Sequence, residues 1–95
     1  MEQKRRQKQL GQVLKRSISE FLNVHLHGAG SGLATVIDVI VTPNLAKIEI
    51  WISSIGCDVN QLKNDLNALL PEIRQVIHRH LHLRKPVFIE FKVAG

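Results

Sequence analysis

Apolar residues near the start of the chain recur with the period of an α-helix. Between about Arg6 and Val24 they form one stripe, and basic residues occupy the other side. The stripe consists of Leu10, Val13, Leu14, Ile18 and Phe21, with Leu22 at its edge. We therefore predict a first helix with one buried face and one cationic face. It ends before residues 28–32, a Gly-Ala-Gly-Ser-Gly run typical of a flexible connector.

From Leu33 the period changes to two, which indicates β-strands. In the first strand, Leu33 to Val41, one face carries Thr35, Ile37, Val39 and Val41 and the other carries Ala34, Val36, Asp38 and Ile40. In the second strand the inward residues are Ala46, Ile48, Ile50 and Ile52, and the outward ones are Lys47, Glu49, Trp51 and Ser53. Pro43-Asn44 suits the centre of a tight turn. The pattern predicts a hairpin in which Asp38 lies opposite Glu49.

Two further helices are predicted after the hairpin, with a break between them. Asp58 is a suitable N-cap for the first of them. Its apolar stripe is Val59, Leu62, Leu66 and Leu69, and the stripe of the next helix is Ile73, Val76, Ile77 and Leu81. Pro71 cannot donate a backbone hydrogen bond and biases Leu70 away from helical geometry, so we place a kink at Leu69, Leu70 and Pro71. Pro86 is expected to close the last helix.

The final segment, Val87 to Val93, alternates again and predicts a third strand. Its inward residues are Val87, Ile89, Phe91 and Val93, and its outward ones are Phe88, Glu90 and Lys92. The order is therefore α-β-β-α-(kink)-α-β. We predict an α+β two-layer sandwich, with helices over one face of a three-stranded mixed sheet. That order matches the type II KH-like topology.

The net charge of +5 is concentrated in the first sixteen residues. There, six basic residues, Lys4, Arg5, Arg6, Lys8, Lys15 and Arg16, oppose only Glu2. From Ser17 onward, basic and acidic residues are equal in number. A neutral body led by a basic segment favours docking on a polyanion, although a merely solubilising tail would share this layout. Residues 1–95 are expected to form one KH-like domain, with residues 1–5 as a disordered basic arm.

Composition argues against several other classes of protein. The single cysteine, Cys57, excludes an internal disulfide and a multi-cysteine zinc site. The N-terminus is basic and polar with no following apolar region, so we expect no signal peptide. The longest apolar stretch, Leu33 to Ile52, is interrupted by polar residues and is not expected to span a membrane. We expect a cytoplasmic domain.

No motif makes a positive case for catalysis, a cofactor or a metal. The chain contains no Gly-x-x-Gly, the loop with which many KH domains clamp an RNA backbone. His78 and His82 have a spacing that can chelate a metal, but the sequence identifies no third ligand. Paired carboxylates, a nucleophile elbow and a cofactor fingerprint are also lacking. We therefore expect a protein that is not an enzyme and holds neither cofactor nor metal.

Several segments, taken in their order along the chain, resemble the ribosome-binding factor A family. They are Thr35–Val39, Thr42–Ala46, Ile50–Ser53, Ile73-Arg74, Leu81–Arg84 and Ile89–Phe91. They resemble the family's first strand and turn, second strand, last helix and last strand, in that order. The chain departs from the family at the kink, where Leu69-Leu70-Pro71 replaces Ala-x-Gly. It also has Glu49 where a lysine is common.

The resemblance implies a non-enzymatic factor for late maturation of the small ribosomal subunit, acting in ribosome biogenesis and rRNA processing. Its implied partners are small-subunit ribosomal RNA and the free small subunit, and we expect a monomer off the ribosome. From the charge pattern we assign RNA contacts to the first and last helices. The candidate residues are Lys4, Arg5, Arg6, Lys8, Lys15, Arg16, Arg74, Arg79, Arg84 and Lys85. Both helices are expected on one side of the sheet, where these residues would form a single basic surface.

A second hypothesis comes from the outward face of the sheet. Trp51, Phe88 and Ile40 would form an apolar patch there. The alternative function is thus a protein-interaction or ligand-sensing α/β module that dimerises through its open sheet.

Overall fold

The computed structural model describes residues 2–26, 33–43, 46–56, 58–81 and 86–94. Its elements are α1 (Glu2–His25), β1 (Leu33–Val41), β2 (Lys47–Ile55), α2 (Val59–Ala68), α3 (Leu70–His78) and β3 (Phe88–Ala94). The predicted α+β class and type II KH-like order are confirmed. The first helix begins at Glu2, earlier than the start predicted near Arg6.

The three strands form one mixed sheet in the order β1-β2-β3. β1 and β2 are antiparallel, whereas β2 and β3 run parallel. Ile48, Ile50 and Ile52 of the central strand are each 0% exposed, which confirms their predicted inward alternation. Burial of each side chain contributes about 1.5–3 kcal/mol. A shift of one residue would expose all three, so burial determines the register of β2.

A β-bulge at Ile37 interrupts the alternation of β1. Val36 pairs with Ile52 but Asp38 pairs with Trp51, which leaves Ile37 without a partner across the ladder. Val36 is buried and Ile37 is 44% exposed, so the predicted faces of these two residues are wrong. The buried residues of β1 are therefore Val36, Val39 and Val41.

The connection between β1 and β2 is longer than the predicted tight turn. The Thr42 N–H donates to the carbonyl oxygen of Lys47 at 3.0 Å, so the last bonded pair of the hairpin is separated by four residues in sequence and not by two. The longer loop alone moves Asp38 opposite Trp51, because the bulge lies on the far side of Asp38 from the loop, and the predicted pairing of Asp38 with Glu49 is wrong. Asn44 lies outside the described residues.

All three helices pack on the same face of the sheet. A single core joins α1, through Leu14, Ile18 and Leu22, to the inward isoleucines of β2. The helices α2 and α3 enter the same core through Leu62, Leu66, Ile73, Val76 and Ile77. This arrangement is the predicted two-layer sandwich, and it leaves the opposite face of the sheet uncovered by the described helices.

The predicted break between α2 and α3 is confirmed. Oδ1 of Asp58 caps α2 by accepting from the N–H groups of Asn60 at 2.9 Å and Gln61 at 3.3 Å. Leu69 separates the two helices, and Pro71 lies in the first turn of α3, where its missing N–H costs least.

The last helix ends at His78, well before Pro86, so its predicted end is wrong. The His80 N–H donates to the carbonyl of Ile77 at 3.0 Å, a tighter turn that terminates α3. Residues 82–85 lie outside the described residues.

Candidate nucleic-acid interface

The helix α1 presents different side chains to its two neighbours. Lys8 and Lys15 are seven residues apart and lie on nearly the same side of the helix, about two turns from each other. Lys8 borders residues 38–41 of β1, so this side of α1 faces β1. Ser17 lies on the other side, where its Oγ is 2.9 Å from Nε2 of His80 after α3. The helix thus has a β1 flank and an α3 flank.

The β1 flank of α1 borders a cleft of about 490 Å³. We call it the α1–β1 cleft; its lining residues are Lys8, Gly11, Gln12, Asp38, Val39, Ile40 and Val41. Gly11 is buried, and a Cβ at this position would lie only 2.6 Å from the carbonyl oxygen of Val39. A glycine therefore allows α1 to approach the backbone of β1 at the floor of the cleft.

Some of the backbone groups on the outer edge of β1 have partners or are covered within the chain. Thr42 bonds to β2, and hydrogen-bonded residues alternate in an antiparallel pair, so Val39 and Val41 direct their backbone groups away from β2. Oδ1 of Asp38 accepts from the Val39 N–H at 2.9 Å. The Val39 carbonyl lies against Gly11. This protection of an edge strand limits unspecific strand pairing.

The α3 flank of α1 borders a second cleft, of about 510 Å³. This α1–α3 cleft carries charges of both signs, since Glu20 and Glu72 line it together with Arg79. Arg79 therefore lies on the opposite flank of α1 from Lys8. Of the residues predicted to form one basic surface, Lys8 and Arg79 thus line two different clefts.

Two of the predicted RNA contacts have partners within the chain. Nη1 of Arg74 donates to the carbonyl oxygen of Val87 at 2.7 Å and so ties α3 to the start of β3. Nε of Arg16 lies 3.4 Å from Oε1 of Glu20, an exposed pair one helical turn apart that contributes little stability. Loss of the Arg74 hydrogen bond should lower stability more than loss of the Arg16 pair, because the Arg74 bond is partly buried.

The remaining predicted residues are only partly described. Lys4, Arg5 and Arg6 lie on the backbone of α1, whereas Arg84 and Lys85 lie outside the described residues. At the kink, Leu69 and Leu70 are half-buried against the core and Pro71 is exposed. The kink therefore offers a proline ring and no glycine to an approaching molecule.

The uncovered face of the sheet carries an ion-pair network. Nζ of Lys47 lies 2.7 Å from Oε2 of Glu90 and 3.3 Å from Oε2 of Glu49. Nζ of Lys92 lies 2.6 Å from Oε1 of Glu90. Glu49 and Glu90 are direct neighbours on β2 and β3, and Lys47 offsets the repulsion between them.

The network shifts the titration of two of its members. Hydrogen bonds from Lys47 and then from Lys92 lower the pKa of Glu90 to about 2. The hydrogen bond to Glu90 is the main cause that raises the pKa of Lys47. The charges of this face are thus largely matched internally.

The apolar patch predicted on this face is smaller than expected. Nε1 of Trp51 donates to Oε1 of Glu49 at 3.1 Å, and the indole is half-buried. Phe88, which is 61% exposed, remains the most accessible aromatic residue of the described sheet.

Neither a metal centre nor a membrane span is found in the described part of the chain. No three His, Cys, Asp or Glu residues cluster there in a way that could hold an ion. Of the proposed histidine pair, His78 ends α3 and His82 lies outside the described residues. None of the described helices combines the length and the apolar character needed to cross a bilayer.

Comparison with known proteins identifies the family. No protein-family model matches the chain. Ribosome-binding factor A of Desulfitobacterium hafniense strain DSM 10664 / DCB-2 is 32% identical over 92 residues, which cover 94% of this chain and 73% of that protein. The chain belongs to the ribosome-binding factor A family. The protein of the same name from strain Y51 matches with the same identity and coverage.

A solved structure supports the fold of this ribosome-binding factor A homologue. The crystal structure of ribosome-binding factor A from Thermus thermophilus superposes with a TM-score of 0.74. The match covers 90% of this chain and 92% of that chain, at 18% sequence identity. At that identity the likeness shows the shared KH-like fold alone.

Sequence reasoning missed the α1–β1 cleft. Gly11 was the available signal, because a glycine within the apolar stripe of a helix often marks a close backbone contact. Gln12 and Val41 gave no signal, since their proximity depends on how α1 packs across β1.

Proposed function

We propose that this protein is a non-catalytic, ribosome-binding and RNA-binding factor that acts in late maturation of the small ribosomal subunit. Two relatives bear the name ribosome-binding factor A, and this chain aligns with them over almost its whole length. That relationship is the main support. The proposal places the protein in the cytoplasm, as a monomer when it is off the ribosome.

The charge distribution supports RNA as the ligand. The excess positive charge belongs to the first sixteen residues, and α1 holds all but the first of them in one helix. On the uncovered sheet face, by contrast, Lys47 and Lys92 are engaged by Glu49 and Glu90. A polyanion is therefore attracted to the helical layer more than to the open sheet.

The proposed contacts remain those of the two helical segments. They are Lys4, Arg5, Arg6, Lys8, Lys15, Arg16, Arg74, Arg79, Arg84 and Lys85. Lysine and arginine at these positions would bind phosphate oxygens and orient the domain on folded rRNA, with little reading of bases. No proton transfer or covalent step is needed for this role.

Co-sedimentation with ribosomal particles tests the proposal. The protein is expected to sediment with free small subunits and not with assembled ribosomes, which serve as the control particle. If about five phosphates are neutralised, the logarithm of the affinity should fall with the logarithm of salt with a slope of roughly −3.5 to −4.5. Equal binding to both particles, or binding to neither, would contradict the proposal.

The alternative of a dimerising module draws on one observation, the exposure of Phe88. The hydrogen bond between Trp51 and Glu49 weakens it, because the indole is already engaged within one chain. A stable dimer lost on substitution of Phe88, without affinity for small subunits, would favour this alternative.

A further inference from the structure

We infer that the α1–β1 cleft holds the sugar-phosphate backbone of single-stranded RNA, and that the α1–α3 cleft does not hold such a strand, so that Arg79 contacts a separate part of the rRNA. The inference rests on the proposed function and assigns the RNA to one of the two flanks of α1. Lys8 of the α1–β1 cleft and Lys15 beside it are the phosphate-binding residues.

Charge distinguishes the two clefts. Within the described residues, neither Lys8 nor Lys15 forms an ion pair, and Lys8 lines the α1–β1 cleft directly. The α1–α3 cleft instead contains Glu20 and Glu72. Glu20 pairs with Arg16, so Glu72 and Arg79 balance each other in that cleft, whereas the α1–β1 cleft has Lys8, with Lys15 beside it, against the single carboxylate of Asp38.

The spacing of the lysines suits an extended chain of phosphates. Lys8 and Lys15 are separated by about 10.5 Å along the helix axis, at 1.5 Å per residue. The two ammonium groups can therefore contact separate phosphates of a strand that follows α1. Lys15 is half-buried, which restricts its side chain and lowers the entropy lost on binding.

The walls of the cleft provide neutral polar groups for the sugar. Gln12 offers an amide from the helix, and Val41 directs its backbone N–H and C=O toward the same edge of β1. Both can bond to 2′-hydroxyl groups or to phosphate. Because Gly11 brings helix and strand into contact at the floor, the opening fits a single strand better than a duplex.

The cleft lacks a stacking platform. Its lining residues include no aromatic side chain, whereas proteins that bind single strands tightly stack bases on such rings. We therefore expect binding through the backbone, with strong salt dependence and little preference among bases.

The negative charge of Asp38 should lower the affinity of the cleft for RNA, which gives a second test of the inference. Its carboxylate lines the cleft and repels phosphate, while Oδ1 accepts the Val39 N–H. In Asp38→Asn an amide oxygen can still accept that hydrogen bond, but the negative charge is gone. Affinity for RNA should then rise, by roughly twofold to fivefold for one exposed charge.

Fluorescence anisotropy with a labelled oligouridine, titrated at several salt concentrations, tests the assignment. The double variant Lys8→Gln, Lys15→Gln removes two charges beside the α1–β1 cleft. The matched control, Lys63→Gln, Lys92→Gln, removes two charges elsewhere, one on α2 and one on the uncovered sheet face, and neither residue is a proposed RNA contact. The first variant is expected to flatten the salt slope by about 1.4, which corresponds to two lost phosphate contacts on a single strand, and the control to leave it unchanged.

Several results would overturn the inference. One is a control variant whose salt slope flattens as much as that of the double lysine variant, and another is an Asp38→Asn protein whose affinity for RNA is unchanged or weaker. The inference would also fail if the wild type bound a uridine–adenine duplex more tightly than oligouridine, or if it did not bind oligouridine at all. Circular dichroism of each variant excludes loss of folding. Failure of the proposed function is separate, because it would appear as loss of wild-type binding to free small subunits.

Discussion

Gly11 of α1 lies against the backbone carbonyl of Val39 in β1, so closely that a Cβ would be 2.6 Å from the oxygen. The opposing atom belongs to the backbone of a paired strand and cannot rotate away. The contact sets the distance between the first helix and the edge of the sheet. The floor of the α1–β1 cleft depends on this distance.

Replacing Gly11 with alanine should therefore destabilise the protein. Helix propensity alone would favour alanine by about 1 kcal/mol. The clash with Val39 should outweigh this gain, since overpacking costs about 1–3 kcal/mol and the strand must move to relieve it. Urea unfolding is expected to show a net loss of roughly 1 kcal/mol. An increase in the free energy of unfolding would mean that α1 can lift from β1 without cost.

Arg74→Gln should lower stability even though Arg74 is one of the proposed RNA contacts. The substitution removes the hydrogen bond from Nη1 to the carbonyl of Val87, which joins α3 to the start of β3. A hydrogen bond from a charged donor contributes about 1.5–3 kcal/mol. Arg79→Gln is the matched control, because Arg79 is exposed and should change the free energy of unfolding by less than about 0.5 kcal/mol. Equal effects of the two variants would show that the Arg74 bond adds nothing.

Asp58→Ala should cost about 0.5–2 kcal/mol, since Oδ1 of Asp58 caps two backbone N–H groups of α2. Asp58→Asn retains an acceptor and should recover most of the loss. Thermal unfolding of both variants measures the difference. If the asparagine variant were as unstable as the alanine variant, charge at the start of α2 would matter more than the hydrogen bonds.

The predictability of each element from sequence depended on how local its causes are. The alternation of Ile48, Ile50 and Ile52 was sufficient to predict which face of β2 is buried, because β2 is a regular strand at the centre of the sheet. The faces of Val36 and Ile37 could not be predicted, because a bulge inserts one residue into β1 without any glycine or proline to announce it. The early end of α3 could not be predicted either, because neither glycine nor proline occurs in residues 79–85.

The candidate site follows the same rule. The positive charge of α1 was readable from composition, and so was its amphipathic character. Which flank each lysine occupies was not, because this depends on the rotation of α1 over β1 and hence on the contact at Gly11. The role of Arg74 was hidden for a similar reason, since its partner is a backbone carbonyl thirteen residues away.

Phe88→Ser should leave the mass of the protein in solution unchanged. Phe88 is exposed on the uncovered face, and Trp51 beside the ion-pair network is already bonded to Glu49. Light scattering at several concentrations should report a monomer for both the wild type and the variant. A wild-type dimer that dissociates on this substitution would support the alternative function.

The pKa of Glu90 predicts how stability responds to acid. Its carboxylate has a pKa of about 2 in the folded protein, against an ordinary value of 4.5, chiefly because Lys47 and then Lys92 donate to it. A lowered folded-state pKa means that the carboxylate stabilises the fold above the unfolded pKa, and that this contribution is lost as pH falls from about 4.5 through about 2. The wild type should thus lose more stability than Glu90→Gln over this interval.

The same network should weaken at high pH. The pKa of Lys47 is raised above 10.5, so its contribution persists below that value and disappears as pH rises through the folded-state pKa. The measurement is the difference in free energy of unfolding between wild type and Glu90→Gln at neutral pH, near pH 2.5 and above pH 11. The difference should be largest at neutral pH and shrink at both extremes and in high salt, because these side chains are partly exposed. A difference that stays constant with pH would show that Glu90 acts through packing and not through its charge.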